Sequence, residues 1–279
     1  MSAPRTVLLT GAAGNIGTPM RELLPPYGYA LRLLDVVPVP GAPDAVLADL
    51  ADRAALREAV RGVDAIVHLA GISLEASFEE VLAANVVGTR NLYEAARAEG
   101  VRRVVLASSN HAVGFTRRPR AGEPPVPVGT PHRPDTFYGL SKCFAEDLAQ
   151  LYWDLHGVET VSVRIGACFP EPTSVRNLAL WLSPADCARL LHAALTAGDV
   201  GHTVVYGSSA NTRGWWDLSG ARALGYAPRD DSERYARRLI AEQGLPPEGS
   251  ADDLYVGGRF CVDPPLWPRR KEVHGPRPD

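Results

Sequence analysis

Tyr138 and Lys142 stand four residues apart, a spacing that on a helix turns two side chains to one face. The run Cys143-Phe-Ala-Glu-Asp-Leu-Ala-Gln-Leu-Tyr-Trp153 continues with helical rather than strand periodicity, so a helix carrying both is expected. A phenol ionises at about pH 10 in water and becomes a useful base near neutrality only when its phenolate is stabilised. A fixed ammonium nearby does this. Alone, the same pair equally describes the solvated face of an amphipathic helix. What the rest of the chain builds around it decides the matter.

Thr6-Val-Leu-Leu-Thr10 reads as a buried strand that enters Gly11-Ala-Ala-Gly14-Asn15-Ile16-Gly17, and Thr18-Pro-Met-Arg-Glu-Leu-Leu24 continues as a helix. In a strand, glycine turn, helix unit the first glycine permits the turn, the second lets backbone approach a pyrophosphate, and the third lets helix and strand pack. The spacing is G-x-x-G-x-x-G, not G-x-G-x-x-G, and a purely structural turn is the competing reading. Eighteen residues after Gly17, the strand Ala30-Leu-Arg-Leu-Leu-Asp35 ends in an acid. A carboxylate there can accept the hydroxyls of an adenosine ribose and repels a 2′-phosphate, and Val36 and Val37 supply no arginine to receive one. NAD is therefore expected rather than NADP.

The elements that must position these groups follow in order. Val46-Leu-Ala-Asp49-Leu50 reads as a short strand, with Asp49 set to meet an adenine amino group. A helix at 53–60 leads to the strand Ala65-Ile-Val-His68-Leu69-Ala70-Gly71, where His68 reads as a packed core histidine and Ser73 lies just beyond, placed to touch a substrate. A helix runs from Phe78 through Asn85 to Ala98, then a strand from Arg103 to Ala107 delivers Ser108, Ser109, Asn110 and His111 at its carboxyl end. Polar groups at strand ends are where such sheets hold ligands. Residues 117–134, rich in Pro, Gly and Arg, read as a surface loop near the mouth of the site, not a linker. Past the tyrosine helix come a strand ending at Arg164-Ile165, short helices including 178–182, a helix capped by Ser183-Pro-Ala-Asp186 that runs to Ala197, a strand at 203–206, and a tail of about thirty Pro- and Gly-rich residues expected to drape over the body.

This alternation implies an α/β fold, a Rossmann-type doubly wound parallel sheet with a small C-terminal substrate-binding lobe, in one compact unit. Its parts are expected at 1–169, the NAD-binding part with the Tyr/Lys helix, and 170–279, the lobe and tail. The 279 residues are 46% hydrophobic, enough for a sizeable core, and a net charge of −3 offers no basic field for nucleic acid or membrane. The apolar run Val7-Leu-Leu9 is too short for a signal peptide, and no stretch has the length of a membrane span. Cys143, Cys168, Cys187 and Cys261 show no metal-binding spacing, so reduced thiols, a cytoplasmic protein and no metal are expected.

Taken together, Gly11-x-x-Gly14-x-x-Gly17, Asp35, Asp49-Leu50, the Ser108-Ser109 strand end, Tyr138-x-x-x-Lys142 and Arg164-Ile165-Gly166 make the chain similar to the extended short-chain dehydrogenase/reductase superfamily over nearly its whole length. Ala107-Ser-Ser-Asn-His111, the stretch 133–143, Arg164-Ile-Gly-Ala-Cys168, and Gly207-Ser-Ser-Ala-Asn211 with Gly214-Trp-Trp-Asp217 resemble the uronate dehydrogenase family within it. The resemblance implies NAD-dependent oxidation of galacturonate or glucuronate at C1 to an aldarolactone. Tyr138 would be the base, Lys142 would lower its pKa, and Ser109 and Asn110 would hold the sugar oxygens. Ser73 and His111 would touch further hydroxyls, and Arg176 would clamp the C6 carboxylate. Gly11, Gly14, Asn15, Ile16, Gly17, Asp35, Asp49, Leu50, Leu69, Ala70, Gly71, Asn85, Ser108, Tyr138, Lys142 and Ile165 would line the cofactor. A homo-oligomer through the Tyr138 helix and the helix at 78–98 is usual in relatives. One departure is Ala167, where the family usually carries a serine; one neutral hydrogen bond, worth about 1 kcal/mol, is then absent. The alternatives are a nucleotide-sugar epimerase or dehydratase with tightly held NAD, which needs a larger substrate lobe, and a non-catalytic NAD sensor, which has no use for Tyr138 and Lys142.

Overall fold

The computed structural model describes residues 6–268. The chain runs β1 (Thr6–Thr10), α1 (Gly17–Leu23), β2 (Ala30–Asp35), β3 (Val46–Leu47), α2 (Arg53–Val60), β4 (Ala65–His68), α3 (Phe78–Val81), a π-helical turn (Leu82–Val87), α4 (Gly88–Ala98) and β5 (Arg103–Ser109). A 3₁₀ turn (Asn110–Val113), α5 (Phe137–His156), β6 (Glu159–Ile165), β7 (Ala167–Cys168), α6 (Asn177–Leu180), β8 (Trp181–Leu182), α7 (Pro184–Thr196) and β9 (His202–Gly207) follow. Short helices α8 (Ser219–Ala223), α9 (Ala236–Gln243) and α10 (Ala251–Leu254) complete it. Seven parallel strands form one sheet in the order β3-β2-β1-β4-β5-β6-β9.

Successive strand residues point to opposite faces, and here both faces are apolar. Val7 and Leu9 of β1, Ala65 and Val67 of β4 and Val105 of β5 enter one core, with Leu190, Leu191 and Ala194 of α7. Their neighbours Leu8, Ile66, Val104 and Leu106 enter the other, with Leu56, Leu92 and Tyr152 from α2, α4 and α5. Each such side chain contributes about 1.5–3 kcal/mol on burial. The chain order reverses between β1 and β4, which opens a crevice above their carboxyl ends.

The capping residues act as their types predict. Ser183 accepts from the Asp186 amide at the start of α7, Asp52 caps α2, and Gly157 ends α5 at φ 65°. The expected helix at 178–182 is a correction. It stops at Leu180, because Trp181 and Leu182 extend to pair with Ala167 and Cys168. The loop 117–134 is tied on several sides: Val126 N donates to the Trp215 carbonyl, Arg118 lies 4.5 Å from the Trp215 ring centre, and Arg164 donates to the Val128 carbonyl. All four cysteines are free, and no helix among the described residues is long and apolar enough to cross a membrane. The end of the expected tail, 269–279, lies outside the described residues.

Candidate active site

The glycine turn sits at the β1/β4 crevice. Gly11 adopts φ 71°, and a Cβ there would meet the Leu69–Ala70 backbone at 2.8 Å, so only glycine fits between the two strand ends. A Cβ on Gly17 would lie 2.0 Å from the Gly11 carbonyl oxygen; this is the close helix packing expected of the third glycine. Gly14 and Asn15 are exposed, and the Asn15 and Ile16 amides have no backbone acceptor among the described residues. A turn with free amides at its rim fits an anionic pyrophosphate.

Asp35 closes this side. Its carboxylate accepts from the Ala13 amide at 2.9 Å, from Val36 at 2.7 Å and from Val37 at 3.2 Å. A carboxylate has about four lone-pair sites, so three protein donors leave room for about one more. Leu50 is buried, with its carbonyl accepting from Asn91, while Asp49 is exposed and bonds the Ala51 amide. Gly71, at φ 137°, lies against Asn85, whose amide group bonds both the nitrogen and the carbonyl of Ile72 and the Ser141 hydroxyl. Asn85 projects from the π-helical turn, a local widening that the sequence periodicity did not signal.

On the sugar side, Tyr138 and Lys142 occupy one face of α5 as their spacing requires. The Lys142 ammonium lies 5.7 Å from the Tyr138 ring centre and donates to the Ala107 carbonyl at 2.8 Å. Burial pushes the Tyr138 phenol up to about 12 against a hydrogen bond from Ser109, and burial brings Lys142 down to about 8. The expected acidification of Tyr138 by Lys142 is thus not met in the protein alone: desolvation outweighs an ammonium bonded elsewhere. His68 is a core histidine as expected, held between Thr10 and Thr89 and brought down to about 3 by burial.

The strand end after β5 divides its duties. The Ser108 hydroxyl donates to Glu146, whereas Ser109 accepts from the His111 amide. Asn110 satisfies its surroundings with its nitrogen donating to the Ile165 carbonyl at 3.1 Å and its oxygen accepting from Arg176 Nη2 at 3.2 Å. His111 shares a 2.7 Å bond with Asp135, and its ring lies 5.9 Å from Tyr138 and 3.9 Å from Phe260. Burial lowers the His111 pKa; Asp135 opposes it.

Arg176 reaches this cluster from the segment before α6. Its Nη2 donates to the Val256 carbonyl, Asp252 stands 4.0 Å from its Nε, and Nε has no hydrogen-bond partner although it is buried. Burial brings its pKa down to about 10 against the opposing pull of Asp252 and Asp135. The structure therefore brings Ser109, Asn110, His111, Tyr138, Lys142 and Arg176 together. Ser73 is exposed on the neighbouring loop with no bond to any of them. Ala167 belongs to an apolar cluster with Val113, Leu180, Tyr206 and Trp215.

Four contributors were not singled out from sequence: Asp135, Phe260, Glu75, whose carboxylate accepts from the Phe137 and Tyr138 amides, and Glu146. Glu146 is buried under Ser108, bonded by Arg164 at 2.9 and 2.8 Å and by His132 at 2.9 Å. Its place one turn after Lys142 was a legible signal, since a buried acid on that face demands a cation. Glu75 and Phe260 had none, because both act through chain reversals.

The NAD dependent epimerase/dehydratase family model matches residues 7–179. The chain is 45% identical over 264 residues to a uronate dehydrogenase of Pseudomonas putida, covering 93% of this chain and 97% of that one. It is 47% identical over 264 residues to the uronate dehydrogenase of Pseudomonas syringae pv. tomato, covering 93% and 94%. A solved mutant of Agrobacterium tumefaciens uronate dehydrogenase complexed with NAD matches at TM-score 0.87 and 44% identity, over 93% of this chain and 98% of that one.

Proposed function

Because the chain belongs to the NAD dependent epimerase/dehydratase family, with uronate dehydrogenases among its near relatives, we propose that it is an NAD-dependent uronate dehydrogenase that oxidises galacturonate or glucuronate at C1 to the aldarolactone. The observation that carries the substrate class is Arg176, a buried guanidinium with an unpartnered Nε, placed beside Asn110 and the His111–Tyr138 pair. A planar fork of donors in that state is matched by a carboxylate, whereas a neutral hexose offers single hydroxyl acceptors and no counter-charge.

In this reading Tyr138 takes the C1 hydroxyl proton while Ser109 and Asn110 hold the sugar oxygens. NAD, held along Gly11–Gly17, Asp35 and the 69–71 strand end, supplies the hydride acceptor. Tyr138 and Lys142 are both desolvated on one face of the helix, so the competent state is the pair with one proton removed, as the Tyr138 phenolate beside the Lys142 ammonium. His111, fixed by Asp135, offers its other ring nitrogen to a further hydroxyl. Residues 1–169 then carry cofactor and base, and the part from 170 onward contributes Arg176.

Phe78, Leu82, Phe137, Leu140 and Phe144 are exposed along α3, the π-helical turn and α5, and the Phe78 and Phe137 rings lie 5.5 Å apart. This apolar face supports a homo-oligomer through those helices. Free cysteines throughout support a cytoplasmic setting.

The test is NADH formation by the purified protein with NAD or NADP and with galacturonate, glucuronate, galactose and glucose in parallel. Turnover with NAD and the uronates, lowered about 10²-fold or more in Tyr138→Phe, is the expected result. Absence of turnover with both uronates overturns the assignment, and NAD retained through purification without net NADH formation points to an epimerase.

A further inference from the structure

The 20-residue helix α5 begins at Phe137, with Tyr138 in its first turn, where the backbone amides have no partner within the helix. All three first-turn amides are nevertheless taken. Thr136 Oγ1 accepts from Gly139 at 2.8 Å, and the Glu75 carboxylate accepts from Phe137 at 3.2 Å and Tyr138 at 3.0 Å. Glu75 is not the local cap; it comes from the loop after β4, which also carries Ser73. Its own backbone is gripped from the opposite side, its amide donating to the Pro265 carbonyl at 3.1 Å and its carbonyl accepting from Trp267 at 2.6 Å.

Residues 255–267 cross the sugar side of the site before reaching Glu75. Val256 N donates to the Thr116 carbonyl, Gly257 N donates to the Gly114 carbonyl, Val256 O accepts from Arg176, and Phe260 lies against His111. The far end of this strap has no other backbone bond to the body than those at residue 75 among the described residues. Three pieces of the site, the Ser73 loop, the strap and the first turn of α5, therefore meet at one side chain and its own peptide groups.

We infer that Glu75 is a positioning residue, which locks the docked C-terminal strap to the helix turn that carries Tyr138, so that the base is held in register only while the strap lies over the sugar. This rests on Tyr138 being the base proposed above. Glu75 touches no reacting atom. Its carboxylate sets where the Tyr138 backbone starts, and a displacement of about 1 Å in a reacting group can cost on the order of 100-fold in rate. The glycine turn and Asp35, which would hold the pyrophosphate and adenosine ribose, make no bond to Glu75, so NAD binding is expected to change less than kcat.

The experiment compares wild type, Glu75→Ala and Glu75→Gln in full-length protein. Backbone amide hydrogen exchange, which needs no substrate, is read at 137–139 and at 259–267. Glu75→Ala is expected to raise exchange in both segments together, whereas change in neither or in only one overturns the inference. In turnover with NAD and a uronate, Glu75→Ala is expected to lower kcat by roughly tenfold or more with KM for NAD within about twofold of wild type. Glu75→Gln, which keeps one acceptor oxygen, should restore a good part of the loss. A kcat within twofold of wild type in Glu75→Ala, or equal losses in kcat and NAD affinity, overturns the positioning role. Wild-type inactivity toward uronates would refute the substrate reading alone, and the exchange result would still decide the coupling.

Discussion

Arg176→Met tests the carboxylate clamp most directly. The guanidinium is 13% exposed and has one buried donor with no partner, so a carboxylate entering there is bound with little screening by water. A hydrogen bond to a charged group contributes about 1.5–3 kcal/mol, and a fork grips a carboxylate with two. Losing both costs about 3–5 kcal/mol, or about 10²–10³-fold in kcat/KM allowing for partial compensation by water. The substitution also deprives the Asn110 oxygen and the Val256 carbonyl of a donor, which harms any substrate. That damage is common to galacturonate and galactose and cancels in the ratio of their kcat/KM values. The assay is therefore NADH formation with each sugar at subsaturating concentration, for wild type and variant. A preference for the uronate that collapses by about 10²-fold or more is expected. A ratio unchanged within about threefold would refute the clamp, however low the absolute activity.

Three further outcomes follow from the same geometry. Asp35→Ala should raise KM for NAD about tenfold and narrow its advantage over NADP, since it removes both the anion and the acceptor of the Ala13, Val36 and Val37 amides; unchanged nucleotide preference by initial rates would count against the ribose contact. With Lys142 at about 8 and Tyr138 at about 12, the pair loses its first proton at about 8, and the phenolate–ammonium form is a pH-independent share of that state, so kcat/KM should rise with pH to about 8 and then level. In Lys142→Met the rise should continue toward the phenol's own range, and a limb that stays in place would show that the two do not titrate together. Glu146 is disfavoured as an anion by burial, yet bonds from His132 and Arg164 hold it down from 4.5 to about 2. A depressed carboxyl stabilises above its unfolded value and loses that contribution as pH falls through the folded one, here about 3 kcal/mol between pH 4.5 and about 2. Urea midpoints should fall more steeply across that window in wild type than in Glu146→Gln, which starts from a lower stability and keeps only the fall due to the other depressed carboxyls.

The cofactor half was legible because its requirements are local and backbone-determined. Gly11 and Gly17 leave no space for a Cβ whatever the rest of the chain does, and Asp35 reaches the turn from the adjacent parallel strand. The helix start at Ser183 was readable for the same reason: a side chain three residues from the amide whose hydrogen bond it accepts needs no tertiary information. The sugar half is assembled otherwise. Arg176, Asp135, Phe260 and Glu75 come from four separate stretches, and none stands in a pattern that announces its partner.

The Tyr138 pKa shows what this difference means chemically. Spacing placed a lysine beside the tyrosine and the resemblance implied an acidified phenol, but neither accounts for desolvation. In the folded protein Tyr138 is 7% exposed and the Lys142 ammonium is bonded to Ala107, so burial prevails. Reactivity at this site is consequently a property of the pair and of the charge that a bound partner brings to it, not of the Tyr-x-x-x-Lys motif. The same reasoning explains why a carboxylate substrate suits the site. Burial has made Lys142 and Arg176 reluctant cations, each with a pKa below its usual value, and an anion placed against Arg176 relieves one of them. Desolvation is thus the common cause of both shifts, and a carboxylate brings to Arg176 a counter-charge that a neutral sugar does not.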